Sequence, residues 1–165
     1  MALIDAMLQE LEQEAETTRR VLERVPDKLN WRPHEKARTL GELALHVAMV
    51  PGSVAEFVAA ESPVQAPQFT DSSPKQASEL VPALDESIAK AKKLLGGMDD
   101  VALNATWRMM QGDRELIAVP RVAMLRSVML NHWYHHRGQL SIYLKELDIP
   151  IPSIYGPSAD ENPFA

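Results

Sequence analysis

Apolar side chains recur at three- and four-residue spacing along four stretches of the chain, which is the pattern of one face of an α-helix. The first stretch covers residues 4–25. The second begins at Thr39, where Glu42 three residues later forms a capping box that predicts a helix start. Pro51 lies inside this second stretch and removes one helical hydrogen bond, so we expect a kink just after His46.

The third stretch is predicted to begin at Ser73, with Pro74 in its first turn and Gln76 at the capping-box position. The glycine pair at 96–97 ends it. Because the apolar period continues on both sides of Pro82, we predict that the helix bends at this residue and continues beyond it.

The fourth stretch covers residues 120–147, and Gly138 inside it predicts that a neighbouring element approaches closely. Residues 98–119 lose the helical period and carry a Gly112-Asp113 turn, which predicts a short hairpin or an irregular flap. Residues 149–158 alternate prolines with apolar side chains, so this tail is expected to pack as an extended strap.

These elements predict an all-α fold, a four-helix bundle with a short irregular or hairpin insertion before the last helix. A chain of 165 residues fits one domain over residues 1–165, and an apolar fraction of 45% is enough to build its core. Residues 62–73 are rich in proline and serine and are expected to form a crossing loop.

Charge and composition narrow the possible functions. The formal net charge is -6 and the basic residues never gather into one block, which argues against a nucleic-acid partner. The chain contains no cysteine, so any metal site must use histidine, carboxylate or water ligands.

The chain is expected to stay out of membranes. Its longest mildly apolar stretch, residues 43–60, is interrupted by Pro51, Gly52 and Glu56. The first residues form no basic segment followed by an apolar one, so no signal peptide is predicted. We therefore expect a cytoplasmic protein.

Three histidines carry the most informative chemistry. His132 and His136 stand four residues apart on one face of the predicted fourth helix, a spacing that suits shared coordination of a transition metal. His46, on the inward face of the second helix, is the best candidate for a third ligand. A hydrogen-bonded core histidine is the alternative reading at each position. Trp133 stands where a zinc protease helix of the HExxH type carries its glutamate, so a metalloprotease is set aside.

Several stretches of the chain resemble the DinB family, the DinB/YfiT-like metalloenzymes. They are residues 29–33 (LNWRP) with 40–46 (LGELALH), residues 132–140 (HWYHHRGQL) and residues 152–156 (PSIYG). The resemblance implies a four-helix bundle with an unusual helix order, commonly a homodimer. It also implies a divalent metal ion, zinc or nickel.

The ligands implied by the resemblance are His46, His132 and His136. His135 is not carried over as a ligand because it lies on a different helix face from the His132/His136 pair. His34 belongs to a connecting loop and is expected to be solvated. Ligating imidazoles must be neutral, so metal affinity is expected to fall below their reference pKa of about 6.5.

Related proteins of the same superfamily transfer or isomerise low-molecular-weight thiol conjugates, with bacillithiol- and mycothiol-dependent enzymes among them. The resemblance therefore implies an enzyme that activates a small-molecule thiol for S-transfer to an electrophilic substrate, or activates water for hydrolysis. A catalytically silent metal-binding stress-response bundle is the alternative. Arg137 and Gln139 are candidate anchors for a substrate carboxylate, although Arg137 fits equally a surface position or a pair with the acidic tail.

Overall fold

The computed structural model describes residues 2–68 and 70–165 of the chain. Helices make up most of it, and a small three-stranded sheet packs beside them. The helical segments are α1 (Leu3–Leu22), α2 (Leu40–Ala59), α3 (Leu80–Leu95), α4 (Asp100–Asn104), α5 (Arg121–Met124), a π-helical segment (Leu125–Asn131) and α6 (His132–Glu146). The strands are β1 (Val64–Gln65), β2 (Thr106–Gln111) and β3 (Arg114–Pro120).

The first two helices follow the apolar pattern that predicts them. α1 ends at Leu22, three residues earlier than expected, because the chain tightens into a turn in which the amide of Val25 donates to the carbonyl of Leu22. At the start of α2, the Thr39 amide donates to Glu42 Oε2 at 2.6 Å, and the Glu42 amide donates to Thr39 Oγ1 at 3.2 Å. The predicted capping box is confirmed, and Glu42 is committed to it.

α2 runs without interruption through Pro51 and packs against both α3 and α6. Among the described residues it is the one helix long and apolar enough to cross a membrane, and 50% of its most apolar window is buried inside the protein. Its composition is therefore accounted for by its position in the core, between two other helices.

The third helix begins later than the sequence predicts. Residues 73–76 are not helical, Ala77–Glu79 forms a single 3₁₀ turn, and α3 starts at Leu80. Pro82 consequently falls in the first turn of α3, where no intrahelical amide donor is required, so the expected bend inside a longer helix is wrong. The amide of Ala77 instead donates to Asp27 Oδ1 at 2.7 Å and ties this segment to the loop that follows α1.

The insertion before the last helices contains the predicted hairpin. β2 and β3 pair antiparallel, and Gly112 adopts a positive φ of 58° in the turn between them. A short helix, α4, precedes the hairpin, and the two-residue β1 from the proline-rich loop adds a parallel third strand beside β2. The prediction of an all-α class is therefore correct only in that helices predominate.

The predicted fourth helix is divided into α5, the π-helical segment and α6. A π-helical turn holds more residues than an α-helical turn, so it changes which side chains face the core. In α6 the fully buried positions include Trp133, Leu140 and Leu144, all with 0% exposure. The histidines, predicted in line with the core, run along the edge of this buried stripe: His132 is half-buried and His136 is 8% exposed.

The predicted close approach at Gly138 is wrong, because a Cβ atom there would meet nothing within 4 Å. The close approach is at Gly52, whose added Cβ would lie 2.8 Å from the carbonyl oxygen of Ser87. The amide of Gly52 donates to Ser87 Oγ at 2.8 Å, and that hydroxyl donates to the carbonyl of Met49 at 3.1 Å. These contacts hold α2 directly against α3.

The C-terminal tail packs on the helices as an irregular strap. Pro152 and Ser153 are buried, and Ile149, Ile151 and Ile154 contact the apolar core. The Ser153 carbonyl accepts a hydrogen bond from Arg20 Nη2 of α1 at 2.8 Å. The tail is thus part of the folded domain, as its apolar and proline pattern predicts.

Candidate metal centre

Two helices bring three histidine side chains together. His46 comes from the second turn of α2, while His132 and His136 occupy the first two turns of α6. One ring nitrogen from each of the three lies within 4.8 Å of the others, and the Nε2 atoms of His46 and His132 are 3.1 Å apart. The structure therefore brings together all three residues that the sequence proposes as ligands.

The imidazoles of this cluster resist protonation. Burial, and then the neighbouring charge of His136, lower the pKa of His46 to about 4. Burial likewise lowers the pKa of His136 to about 4, although the hydrogen bond to Gln139 opposes it, and burial lowers the pKa of His132. All three rings are consequently neutral near pH 7, and each keeps a nitrogen lone pair available to a cation.

Gln139 orients the ring of His136. Its side-chain Oε1 lies 2.7 Å from His136 Nδ1, three residues earlier on α6. An amide oxygen only accepts hydrogen bonds, so Nδ1 carries the proton and Nε2 presents its lone pair. Metal-ligating histidines are commonly held in this way by a partner on their other nitrogen.

The cluster fits a divalent transition metal. In a tetrahedral zinc site with Zn–N bonds of about 2.05 Å, neighbouring ligand nitrogens lie about 3.3 Å apart. The 3.1 Å separation between His46 Nε2 and His132 Nε2 is close to that value. Neutral imidazoles suit zinc and nickel, and a set of three protein ligands leaves a coordination position for a small molecule.

The other two histidines lie outside the cluster. His135 is exposed, and its ring centroid is 5.0 Å from that of His136. His34 is exposed in the loop before α2, where its Nδ1 accepts a hydrogen bond from the amide of Lys36 at 3.1 Å. His34 is therefore solvated, as expected, and His135 is not part of the group of three clustered rings.

Arg137 contacts α1 and the C-terminal tail. It is 2% exposed, its Nη2 is 2.6 Å from Glu14 Oε2, and its Nη1 donates to Thr18 Oγ1 at 3.1 Å. The guanidinium also lies over the rings of Tyr134 and Tyr155. The hydrogen-bonding groups of Arg137 are therefore used by α1 and by Tyr155 of the tail. These contacts do not support a role as a substrate anchor, a surface position or a pair with acidic tail residues.

Arg38 is a charged residue near the cluster that the sequence pattern does not identify. Its positive charge lowers the pKa of His46, His132 and His136. The side chain is partly exposed and forms an ion pair in which Nε lies 2.8 Å from Asp71 Oδ1. Arg38 directly precedes the N-cap residue of α2, in a loop that contains other basic residues. The sequence alone therefore does not distinguish it from them.

The chain is thus a mostly helical protein with a candidate transition-metal centre formed by three histidines on two packed helices. The DinB family model matches residues 2–162, so the chain belongs to the DinB family. No curated protein matches the sequence.

Two solved structures share the fold. A DinB-like protein from Bacillus cereus ATCC 10987 superposes with a TM-score of 0.72 at 20% sequence identity, covering 92% of this chain and 97% of its own. The DinB-like protein YjoA from Bacillus subtilis gives a TM-score of 0.63 at 18% identity, covering 87% of this chain and 92% of its own. At these identities the likeness concerns the fold alone.

Proposed function

We propose that the protein binds one divalent ion, zinc or nickel, through His46, His132 and His136, and that it uses the ion to activate a low-molecular-weight thiol for S-transfer. Activation of water for hydrolysis is the competing use of the same site. The observation that carries the proposal is the convergence of three imidazoles, with ring nitrogens within 4.8 Å and pKa values lowered by burial.

Each part of the site has a defined task in this scheme. Neutral ligands leave the full charge on a bound divalent ion, which then promotes deprotonation of a coordinated thiol or water near neutral pH. Gln139 holds the His136 ring in the orientation for binding. The chain has no cysteine, so the sulfur nucleophile comes from a small-molecule thiol. The thiol-dependent chemistry of related proteins supports this choice over water.

Arg38 replaces Arg137 as the anchor that we propose for the substrate. Its guanidinium holds the Asp71 carboxylate, and its charge reaches all three imidazoles. A carboxylate of the thiol or of the electrophile would bind the same fork-shaped donor in place of Asp71. The substrate class that we propose is therefore anionic.

The test begins with elemental analysis of the purified protein, followed by assays that combine a panel of bacterial thiols with electrophilic substrates. Product identity is read by mass spectrometry at several metal occupancies. A thioether product that rises with occupancy supports S-transfer, and a hydrolysis product that is indifferent to thiol assigns a hydrolase. The His46→Ala variant is the inactive control, and His135→Ala is the matched control that retains the site.

A metal-loaded protein that does neither reaction across the panel would assign the alternative, a catalytically silent metal-binding bundle. We also propose that the protein is a homodimer and works in the cytoplasm, on the basis of the commonly dimeric DinB relatives and of a fold that needs no disulfide. Light scattering tests the dimer: twice the chain mass of 18.4 kDa supports it, and 18.4 kDa contradicts it.

A further inference from the structure

Pro51 leaves one backbone carbonyl of α2 without its helical partner. In an α-helix the amide of residue 51 would donate to the carbonyl of residue 47, and proline has no amide hydrogen. Val47 is 0% exposed and Pro51 is buried, so water does not take the place of the missing donor. A buried carbonyl in this position needs another partner.

Trp133 supplies that partner from the opposite helix. Its indole Nε1 donates to the carbonyl oxygen of Val47 at 2.8 Å, and the side chain is 0% exposed. The hydrogen bond is therefore fully buried and crosses directly from α6 to α2. Because Pro51 has no amide hydrogen, the indole takes the place of the helical donor at this carbonyl.

This hydrogen bond joins the two residues that follow two of the candidate ligands. Val47 is next to His46, and Trp133 is next to His132. The contact between His46 Nε2 and His132 Nε2 and the contact between Val47 and Trp133 both link positions 86 residues apart. The buried bond and the imidazole contact are thus two adjacent links between the same pair of helices.

α2 is also held against α3 by Gly52, the residue that follows Pro51. The amide of Gly52 donates to Ser87 Oγ, which in turn donates to the carbonyl of Met49. The segment around Pro51 is therefore held both by α3 and by Trp133. These contacts limit sliding and rotation of α2 relative to α6, and they therefore fix the position of His46 relative to His132.

We propose that Trp133 is a positioning residue for the metal centre: its bond to the Val47 carbonyl, left free by Pro51, sets the separation of His46 from His132. The inference rests on the proposed metal site, and it predicts an effect on metal binding that is independent of fold stability. Ligand atoms must be held within a few tenths of an ångström for tight binding, so a shift between α2 and α6 weakens it.

The first test compares two tryptophan substitutions. Trp133→Phe removes the donor and keeps an aromatic ring, and we expect it to weaken zinc binding by at least about 10-fold, as loss of a supporting hydrogen bond does at other metal sites. Trp107→Phe is the matched control. Trp107 is also 0% exposed, and within the described part of the chain its Nε1 has no hydrogen-bond partner. The zinc affinity of the Trp107→Phe variant should therefore equal that of the wild type. Zinc affinity is measured by competition with a chromophoric chelator.

The second test separates positioning from stability. In a Pro51→Ala background the amide of residue 51 can satisfy the Val47 carbonyl, so Trp133→Phe should lower the melting temperature less than it does in the wild type. The fold-loss of zinc affinity should be the same in both backgrounds, because the link between the helices is still missing. The visible absorption of the cobalt-loaded proteins reports the ligand geometry directly and should change with Trp133→Phe in both.

Three results have distinct meanings. Recovery of zinc affinity together with stability in the Pro51→Ala background overturns the inference, since the bond would then act only on the fold. Equal affinities for Trp133→Phe and Trp107→Phe overturn it as well. A wild-type protein that binds no zinc or nickel contradicts the proposed function itself, before either variant is compared.

Discussion

The side-chain amide of Gln139 holds the ring of His136, with Gln139 Oε1 2.7 Å from His136 Nδ1. The contact fixes the tautomer of a buried imidazole from an exposed position on the same helix. It therefore allows the orientation of one candidate ligand to be changed without disturbing the core.

Replacement of Gln139 should weaken metal binding without destabilising the fold. We expect Gln139→Leu to reduce affinity by about 10-fold, because the freed ring can rotate or change tautomer. Gln139→Glu keeps an acceptor for the Nδ1 proton and adds a negative charge beside the ring, so it should bind metal at least as tightly as the wild type. Calorimetric titration with zinc and a melting curve of each apoprotein provide the measurement. A Gln139→Leu variant that binds like the wild type would remove the orienting role.

The three candidate ligands should contribute to binding in concert. Alanine at His46, His132 or His136 removes one donor, and each variant is expected to lose at least about 10-fold in affinity. His135→Ala changes an exposed histidine adjacent to the site and should retain both affinity and metal content. Elemental analysis after dialysis distinguishes the variants. An equal loss of affinity in His135→Ala would contradict the choice of His136 over His135 as the ligand.

Metal binding should persist to lower pH than the sequence implies. An imidazole with the reference pKa of about 6.5 would begin to compete with metal just below neutrality. Burial lowers the pKa of His46 and His136 to about 4, so affinity should change little between pH 8 and pH 6 and fall as pH approaches 4. The apparent zinc dissociation constant across this range is the readout. A tenfold loss between pH 7 and pH 6 would contradict the assigned environment.

The same shifts determine how the metal-free protein responds to acid. The pKa values of these histidines are lower in the folded than in the unfolded state, so below pH 6.5 the unfolded chain binds protons first. Their contribution to stability is therefore fully present above pH 6.5 and is lost as pH falls toward 4. Denaturant unfolding of the wild type and of a His46→Ala/His136→Ala double variant should show a smaller pH dependence in the variant.

Charges beside the site should tune its affinity in opposite directions. Arg38→Gln removes a cation whose charge reaches all three imidazoles, and we expect metal to bind about two- to five-fold more tightly, the scale of a partly exposed charge interaction. Asp71→Asn removes the partner of Arg38 and should weaken binding by a similar factor. Both effects should shrink in high salt. Identical affinities for the two variants at low salt would exclude this electrostatic coupling.

The ion pair between Arg137 and Glu14 should matter for stability. Arg137 is 2% exposed and Glu14 15%, so Glu14→Gln leaves a buried cation without its partner and is expected to cost about 3–5 kcal/mol of unfolding free energy. Glu12 lies on α1 like Glu14, and it forms an exposed ion pair with Lys92 of α3. Glu12→Gln breaks that pair and should cost at most about 1 kcal/mol of unfolding free energy. Urea unfolding of the two variants gives the comparison, and similar losses would show that the buried pair has no special weight.

The sequence predicts the histidine cluster well because its signals are local. The spacing of His132 and His136 is set by helix geometry, and the apolar period of α2 places His46 on the inward side. The capping box at Thr39 and the turn at Gly112 are equally local and are both confirmed.

Features that depend on distant contacts escape the same reasoning. β1 has two residues and exists only because β2 lies beside it, and the proline-rich loop carries no strand pattern of its own. Gly138 and Gly52 look alike as helical glycines, and only the position of Ser87 shows which one is tightly packed. Pro51 predicts a free carbonyl, but the sequence does not say that Trp133 would reach it.

The π-helical segment Leu125–Asn131, which ends directly before His132, is equivalent to a one-residue insertion in an α-helix. Deleting a single codon within it would restore ordinary α-helical winding, and the hairpin side of the helix would keep its orientation relative to α6 because the wide turn absorbs the extra residue. The histidines of α6 and the residues before the segment would then keep the faces that they have now. The segment thus lets one continuous helix hold an extra residue between the sheet and the candidate metal centre without a change in the register of either.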